Sequence, residues 1–166
     1  MITLEPGKTS ELSARVRRIV APNPSVMTGP GTNTYLVGRE QVAVIDPGPD
    51  ERSHVDAILA QGAGRIGWIL VTHTHEDHSP AAATLARETG AELWGQLASD
   101  DLYQDHTFRP DVPFTDGAVL ATAERLSQAA NRTLDVGGAS ESLPVGPLLQ
   151  RIADHEAEGF QLLGLQ

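Results

Sequence analysis

Apolar residues along the chain fall into short runs separated by breaks rich in proline and glycine. Residues 12–20 alternate loosely between apolar and polar and predict an edge strand. Residues 21–31 hold three prolines and two glycines and predict a loop. Residues 32–37, Thr-Asn-Thr-Tyr-Leu-Val, have the β-branched and aromatic content of a strand. A turn at 38–41 leads to the apolar run 42–45, closed by Asp46-Pro-Gly-Pro49. In residues 51–61 the apolar positions Val55, Ile58 and Leu59 have helical spacing, with Gly62 as a stop. Residues 66–71 are almost continuously apolar, which predicts a strand buried on both faces. A polar loop over 72–78 follows. Ser79 is then a candidate N-cap, with Pro80 at the first helical position and Gly90 ending a helix over 81–89. Residues 91–94 read as one more strand. The stretch 42–94 is therefore strand–helix–strand–helix–strand, an α/β unit with parallel, right-handed crossovers.

Patterning weakens after residue 94. Residues 98–105 suggest a short helix, and 109–115 a loop with two prolines. Helical spacing returns over 119–130 and 147–158, with a small, polar loop over 135–142.

Composition narrows the chemistry. The 166 residues are enough for one compact domain or part of a larger one. Twelve basic against 22 acidic residues give a net charge of −10, which disfavours a broad phosphate-binding face and hence nucleic acid. There is no cysteine, so any metal site must use His, Asp, Glu or backbone oxygen. The N-terminus lacks a basic segment followed by an apolar run, and no apolar stretch is long enough to span a bilayer; a cytoplasmic location without membrane contact is expected.

Three of the six histidines crowd into six positions: His73, His75 and His78, with Glu76 and Asp77 among them. The cluster follows a buried strand and precedes a helix, where α/β sheets place their ligands. In an extended segment His73 and His75 point the same way, so both imidazoles can reach one cation. Asp77 and His78 follow as the chain turns and can face a second. A carboxylate among imidazoles offsets metal charge and can accept a proton from bound water. A solvated polar turn is the alternative, and for one histidine it would be preferred. Of the other histidines, His54 and His106 read as surface residues, and His155 as a solvated position on the last helix.

His73-Thr-His-Glu-Asp-His78 resembles the ligand loop of the metallo-β-lactamase-fold hydrolases, and Thr28-Gly-Pro-Gly-Thr-Asn-Thr-Tyr-Leu-Val-Gly38 and Val44-Ile-Asp-Pro-Gly48 are similar to two further blocks of that superfamily. The wording is most similar to its glyoxalase II-like and lactamase-like protein 2 branch, over about residues 12–122. The resemblance implies an α/β fold of the αββα sandwich type, present mostly as its N-terminal βα half. It divides the chain into residues 1–123 and an atypical segment 124–166. It implies His73 and His75 on a first zinc, Asp77 and His78 on a second, Asp77 as proton acceptor, and Asp46 supporting the ligands from behind. For Asp46 a plain turn-forming role stays open. Zinc, one ion or two, is the first choice of metal, with iron and manganese open.

The implied activity is hydrolysis of an ester, thioester, lactam or phosphodiester by metal-bound hydroxide, on a small-molecule substrate. The family's later ligands, a His-Thr-Pro-Gly-His-like segment and a Gly-Asp motif, have no counterpart here, and His155 is the only histidine after His106. The alternative is a truncated, catalytically silent metal-binding remnant or interaction module. A half-fold would also expose a sheet face, which implies association with a second copy.

Overall fold

The computed structural model describes residues 4–98 and 102–113. Seven strands form one sheet: β1 Thr9–Glu11, β2 Val16–Val20, β3 Asn33–Val37, β4 Val42–Ile45, β5 Ile66–Leu70, β6 Glu92–Gly95 and β7 Val112–Pro113, with helices α1 Arg52–Gly62 and α2 Ala81–Thr89. The strands lie in sequence order. The first four pair antiparallel, and β4 through β7 pair parallel. The expected strand–helix–strand–helix–strand unit is β4–α1–β5–α2–β6.

The apolar pattern is read out by two faces. Leu36, Val44, Ile69 and Leu93 belong to one cluster with Val55 and Ile58 of α1 and Leu85 of α2. Alternation along β5 would be broken by the spacing of Ile66 and Ile69, both in that cluster. The register shift opposite Val42 and Ala43 absorbs the extra residue, Gly67, and returns Ile69 to the helix face. On the other face Tyr35, Ala43, Ile45, Trp68 and Leu70 are buried as well, as the unbroken apolar runs anticipate.

The helices end as their sequences suggest, with one change of detail. Gly62 is the last residue of α1, and it is Ala63 that turns left-handed, at φ 48°. Gly62 is needed for space: a Cβ there would overlap the Ile66 side chain. No basic residue lies in the last turn of α1. Instead the buried Arg17 of β2 donates to the Gln61 carbonyl at 2.6 Å and to the Gly38 carbonyl at 3.0 Å, placing a cation at the helix's negative end.

Four expectations need correction. The strand expected over 12–20 is only β2, and it is not an edge strand, because β1 covers it. Ser79 does not cap α2: Pro80 takes the N-cap position with no side-chain bond, and the Ser79 hydroxyl is spent elsewhere. The described part of 98–105 is turn and a single bridge between Gln104 and His75, not helix. The proline-containing stretch 109–115 includes β7, a two-residue edge strand, the position where a sheet tolerates proline. The helices expected over 119–130 and 147–158, His155, and the boundary at 123/124 lie outside the described residues.

Candidate metal centre

Because β4 and β5 are parallel, the loops that leave them emerge at the same end of the sheet. Asp46 is the first residue after β4 and is left-handed, at φ 48°, a conformation Asp tolerates better than most residues. Its carboxylate spans to the neighbouring loop. Oδ1 accepts the Thr72 N–H at 2.8 Å, and Oδ2 accepts the Thr72 hydroxyl at 2.7 Å. Asp46 is thus a turn residue and a brace at once.

The chain of contacts runs on from Thr72 to His73. Thr72 has one hydroxyl proton, and Asp46 takes it. The Thr72 oxygen, 3.0 Å from His73 Nδ1, therefore accepts from that nitrogen, which leaves His73 Nε2 with a free lone pair. Nε2 faces His75 Nδ1 at 3.0 Å. Two nitrogens on one tetrahedral zinc, each at about 2.0–2.1 Å, stand roughly 3.3 Å apart, so this pair is spaced as two ligands of one ion would be. Asp77 and His78 form a second pair, with Oδ2 to Nε2 at 3.4 Å. The two pairs adjoin, since the His73 and His78 ring centroids are 4.1 Å apart. Among the described residues no three His, Asp or Glu side chains surround one point as a closed ligand set. The donors come two by two.

Charge is arranged to match. Burial would push the His78 imidazole down, but the carboxylates of Asp46, 3.1 Å away, and Asp77 outweigh it and raise it to about 10. Asp77, held by His78 and by the Thr32 hydroxyl at 3.3 Å, drops to about 2. His73 is lowered by burial and by the neighbouring imidazole of His78. Imidazole nitrogen and carboxylate oxygen are the donors a borderline divalent cation takes, and His73 is already oriented by a bonded partner behind it. The residues present fit such an ion.

The loop is braced from its far side by residues that patterning missed. The Glu76 N–H donates to the Tyr103 carbonyl at 3.0 Å, and the Thr74 hydroxyl to Gln104 Oε1 at 2.6 Å. Buried Asp105 accepts from the Ser79 hydroxyl at 2.7 Å and from the Thr107 N–H at 2.8 Å. The last bond is an Asx-type turn, and the Asp105-His-Thr107 spacing is the sequence signal that could have exposed it. His106 is exposed, as expected. His54 is not: it is 1% exposed, and its Nε2 lies 2.9 Å from the Thr34 hydroxyl. It sits on the face of α1 turned to the sheet, in register with Val55 and Ile58.

No helix among the described residues is long and apolar enough to cross a membrane. The chain is 34% identical to an atrochrysone carboxyl ACP thioesterase of a Cryptosporiopsis species, over 71% of this chain and 36% of that protein. It is 42% identical to a β-lactamase-like protein 2 homologue of Drosophila melanogaster, over 42% of this chain and 25% of that protein. A subclass B3 metallo-β-lactamase of Bradyrhizobium japonicum superposes with a TM-score of 0.54 at 18% identity, over 71% of this chain and 49% of that one, a likeness of fold. The chain thus spans about a third of the length of the curated relatives it matches. The sequence pattern of one family runs through residues 27–159, across the histidine-rich loop and the strands that carry it: the chain belongs to the metallo-beta-lactamase superfamily.

Proposed function

We propose that the chain is a metal-dependent hydrolase of acyl bonds, thioesters first, taking zinc on His73, His75, Asp77 and His78. The observation that carries this is the approach of two ring nitrogens, His73 Nε2 and His75 Nδ1, to 3.0 Å, where the His75 N–H now donates to the His73 lone pair and a cation would take its proton's place, with Thr72 and Asp46 fixing the His73 ring from behind. Bound zinc would supply Lewis acidity, polarising a carbonyl and making nearby water more acidic. The chain's own residues do the rest. Asp77 is ionised at neutral pH and stands ready to accept a proton from the attacking water. Asp46 and Thr72 keep His73 in the tautomer whose Nε2 points into the site. Within the substrates that the superfamily's chemistry allows, the thioesterase name of one relative supports a thioester, and a net charge of −10 favours it over a polyanion. The second reading, a metal-binding module without turnover, is favoured by the sequence, where His155 is the only histidine beyond His106 to complete a ligand set.

The test is elemental analysis of the purified, desalted chain, followed by hydrolysis of a small acyl thioester with and without added zinc. One or two equivalents of zinc with zinc-dependent turnover supports the hydrolase. Zinc without turnover leaves the binding module, and a metal ratio near zero at saturating zinc sinks both.

A further inference from the structure

Among the described residues His54 is a buried histidine that the metal centre does not use, and its surroundings tie it to that centre. It is buried at 1% exposure on α1, and Thr34 of β3, at 0%, is its polar neighbour. The Thr34 hydroxyl donates its single proton to the Asp46 carbonyl at 2.7 Å. Its oxygen, 2.9 Å from His54 Nε2, is then the acceptor, and His54 is the donor. The imidazole also packs under the turn itself: a Cβ on Gly48, which is at φ 81°, would come within 3.1 Å of Nε2. That turn bonds onward. The Gly48 N–H donates to the His78 carbonyl at 2.9 Å, and the Gly48 carbonyl accepts the Ala81 N–H at 3.0 Å. Asp46 meanwhile holds a left-handed conformation that needs support from its surroundings.

We propose that His54 is a positioning residue for the metal centre: through the Thr34 hydroxyl it fixes the Asp46–Gly48 turn, and through that turn the carboxylate behind His73 and the main chain of His78. The proposal rests on the metal-centre reading above. Burial keeps His54 neutral down to about pH 4, so its single N–H is a constant donor under physiological conditions. A glutamine side chain can supply an N–H at the same place, and a leucine of similar volume cannot.

The test uses the metal-free 166-residue chain, cobalt(II) as the probe, and the visible absorption of the bound ion. His54→Leu and Thr34→Val each weaken cobalt binding about tenfold and alter the cobalt band, the effect expected of a partner behind a ligand. His54→Gln and Thr34→Ser stay within about twofold, because each restores the hydrogen bond that its apolar counterpart loses. The double variant H54L/T34V binds no worse than T34V alone, since the two act in series. Wild-type binding in both apolar variants, or losses that multiply in the double variant, overturns the proposal. If His54→Leu fails to fold by circular dichroism, equal binding by Thr34→Val and Thr34→Ser overturns it instead. Failure of the wild-type chain to bind cobalt would count against the metal centre, and a metal-free readout remains. Exchange protection of the Thr72 amide, bonded to Asp46, falls in the two apolar variants and not in their conservative partners; unchanged protection in all four refutes the relay.

Discussion

His54 and His78 are both largely enclosed by protein, and the protein moves them in opposite directions. Burial lowers His54 to about 4, whereas for His78 two carboxylates overcome the same burial and raise it to about 10. The neighbours set the sign. His54 faces neutral acceptors, the Thr34 hydroxyl and the Pro47 carbonyl, which ask for an N–H and no charge. His78 faces Asp46 and Asp77, which ask for positive charge. A site that concentrates anionic oxygen around imidazole nitrogen is prepared for a cation; a site that offers only neutral acceptors is prepared for a fixed hydrogen bond.

The largest expected effect separates the two kinds of histidine by metal binding. A four-ligand zinc site is worth about 10–16 kcal/mol, so each ligand carries roughly 3 kcal/mol. The double variant H73A/H75A should weaken zinc binding on the order of ten-thousandfold, and His106→Ala, at the surface, should leave it unchanged. Competition with a chromophoric chelator measures both. Equal affinities in the two proteins would remove His73 and His75 from the ligand set.

The next effect separates them by pH in the metal-free chain. His54 has a folded value below its ordinary 6.5, so the unfolded chain takes up the proton first. Its contribution is whole above about pH 6.5, declines as pH falls, and is gone below about pH 4. A shift of that size amounts to about 3 kcal/mol. His78 works in the other direction: its folded value is above the unfolded one, so its contribution is whole below about 6.5 and is lost as pH rises towards about 10. Asp77 acts lower still, with a contribution lost as pH falls from 3.8 towards about 2. The windows do not overlap. Urea melts between pH 4 and 7 should show acid destabilisation in the wild type and a flatter profile in His54→Gln. A profile of equal slope in both would place the acid sensitivity elsewhere.

A smaller effect probes the brace. Asp46→Asn keeps the shape of the turn and can still accept the Thr72 N–H, but it lowers the negative charge beside His78 and loosens the hold on Thr72. Partners behind metal ligands are worth about 10–100-fold in affinity, and a loss in that range is expected for zinc. Unaltered affinity would make Asp46 a turn former alone.

The five elements from β4 to β6 and the loop that gathers His73, His75, Asp77 and His78 were legible because each has a local signal: apolar runs bounded by Pro and Gly, and polar side chains packed into six positions. The placement of His54 was not. One histidine on a helix reads as solvated until the sheet that covers it is known, and its Thr34 partner is 20 residues away. Asp105 and Ser79, 26 residues apart, escaped for the same reason, and Ser79-Pro80 imitated a cap signal that tertiary bonding overrode. The two-residue β7 is too short to carry any period.

The smallest effect tests that override. If Ser79 capped α2, Ser79→Ala would expose helix amides and lower helix stability by about 1 kcal/mol, leaving the loop at 103–107 untouched. The structure assigns its hydroxyl to Asp105 instead, at 2.7 Å, with Ser79 1% exposed. Removing it leaves Asp105 with its bonds to Thr107 but strips one oxygen of its partner in a buried place. The cost expected is about 1.5 kcal/mol, the low end for a hydrogen bond to a charged group, because Asp105 keeps its bonds to Thr107. The Asp105 carboxyl, now held below its ordinary value, should rise. Destabilisation of the variant relative to wild type should therefore be greatest near neutral pH and shrink as the Asp105 carboxylate protonates in acid in both proteins. A capping role would give a loss that does not depend on pH in this range, so denaturant melts of Ser79→Ala at pH 7 and pH 3 distinguish the two.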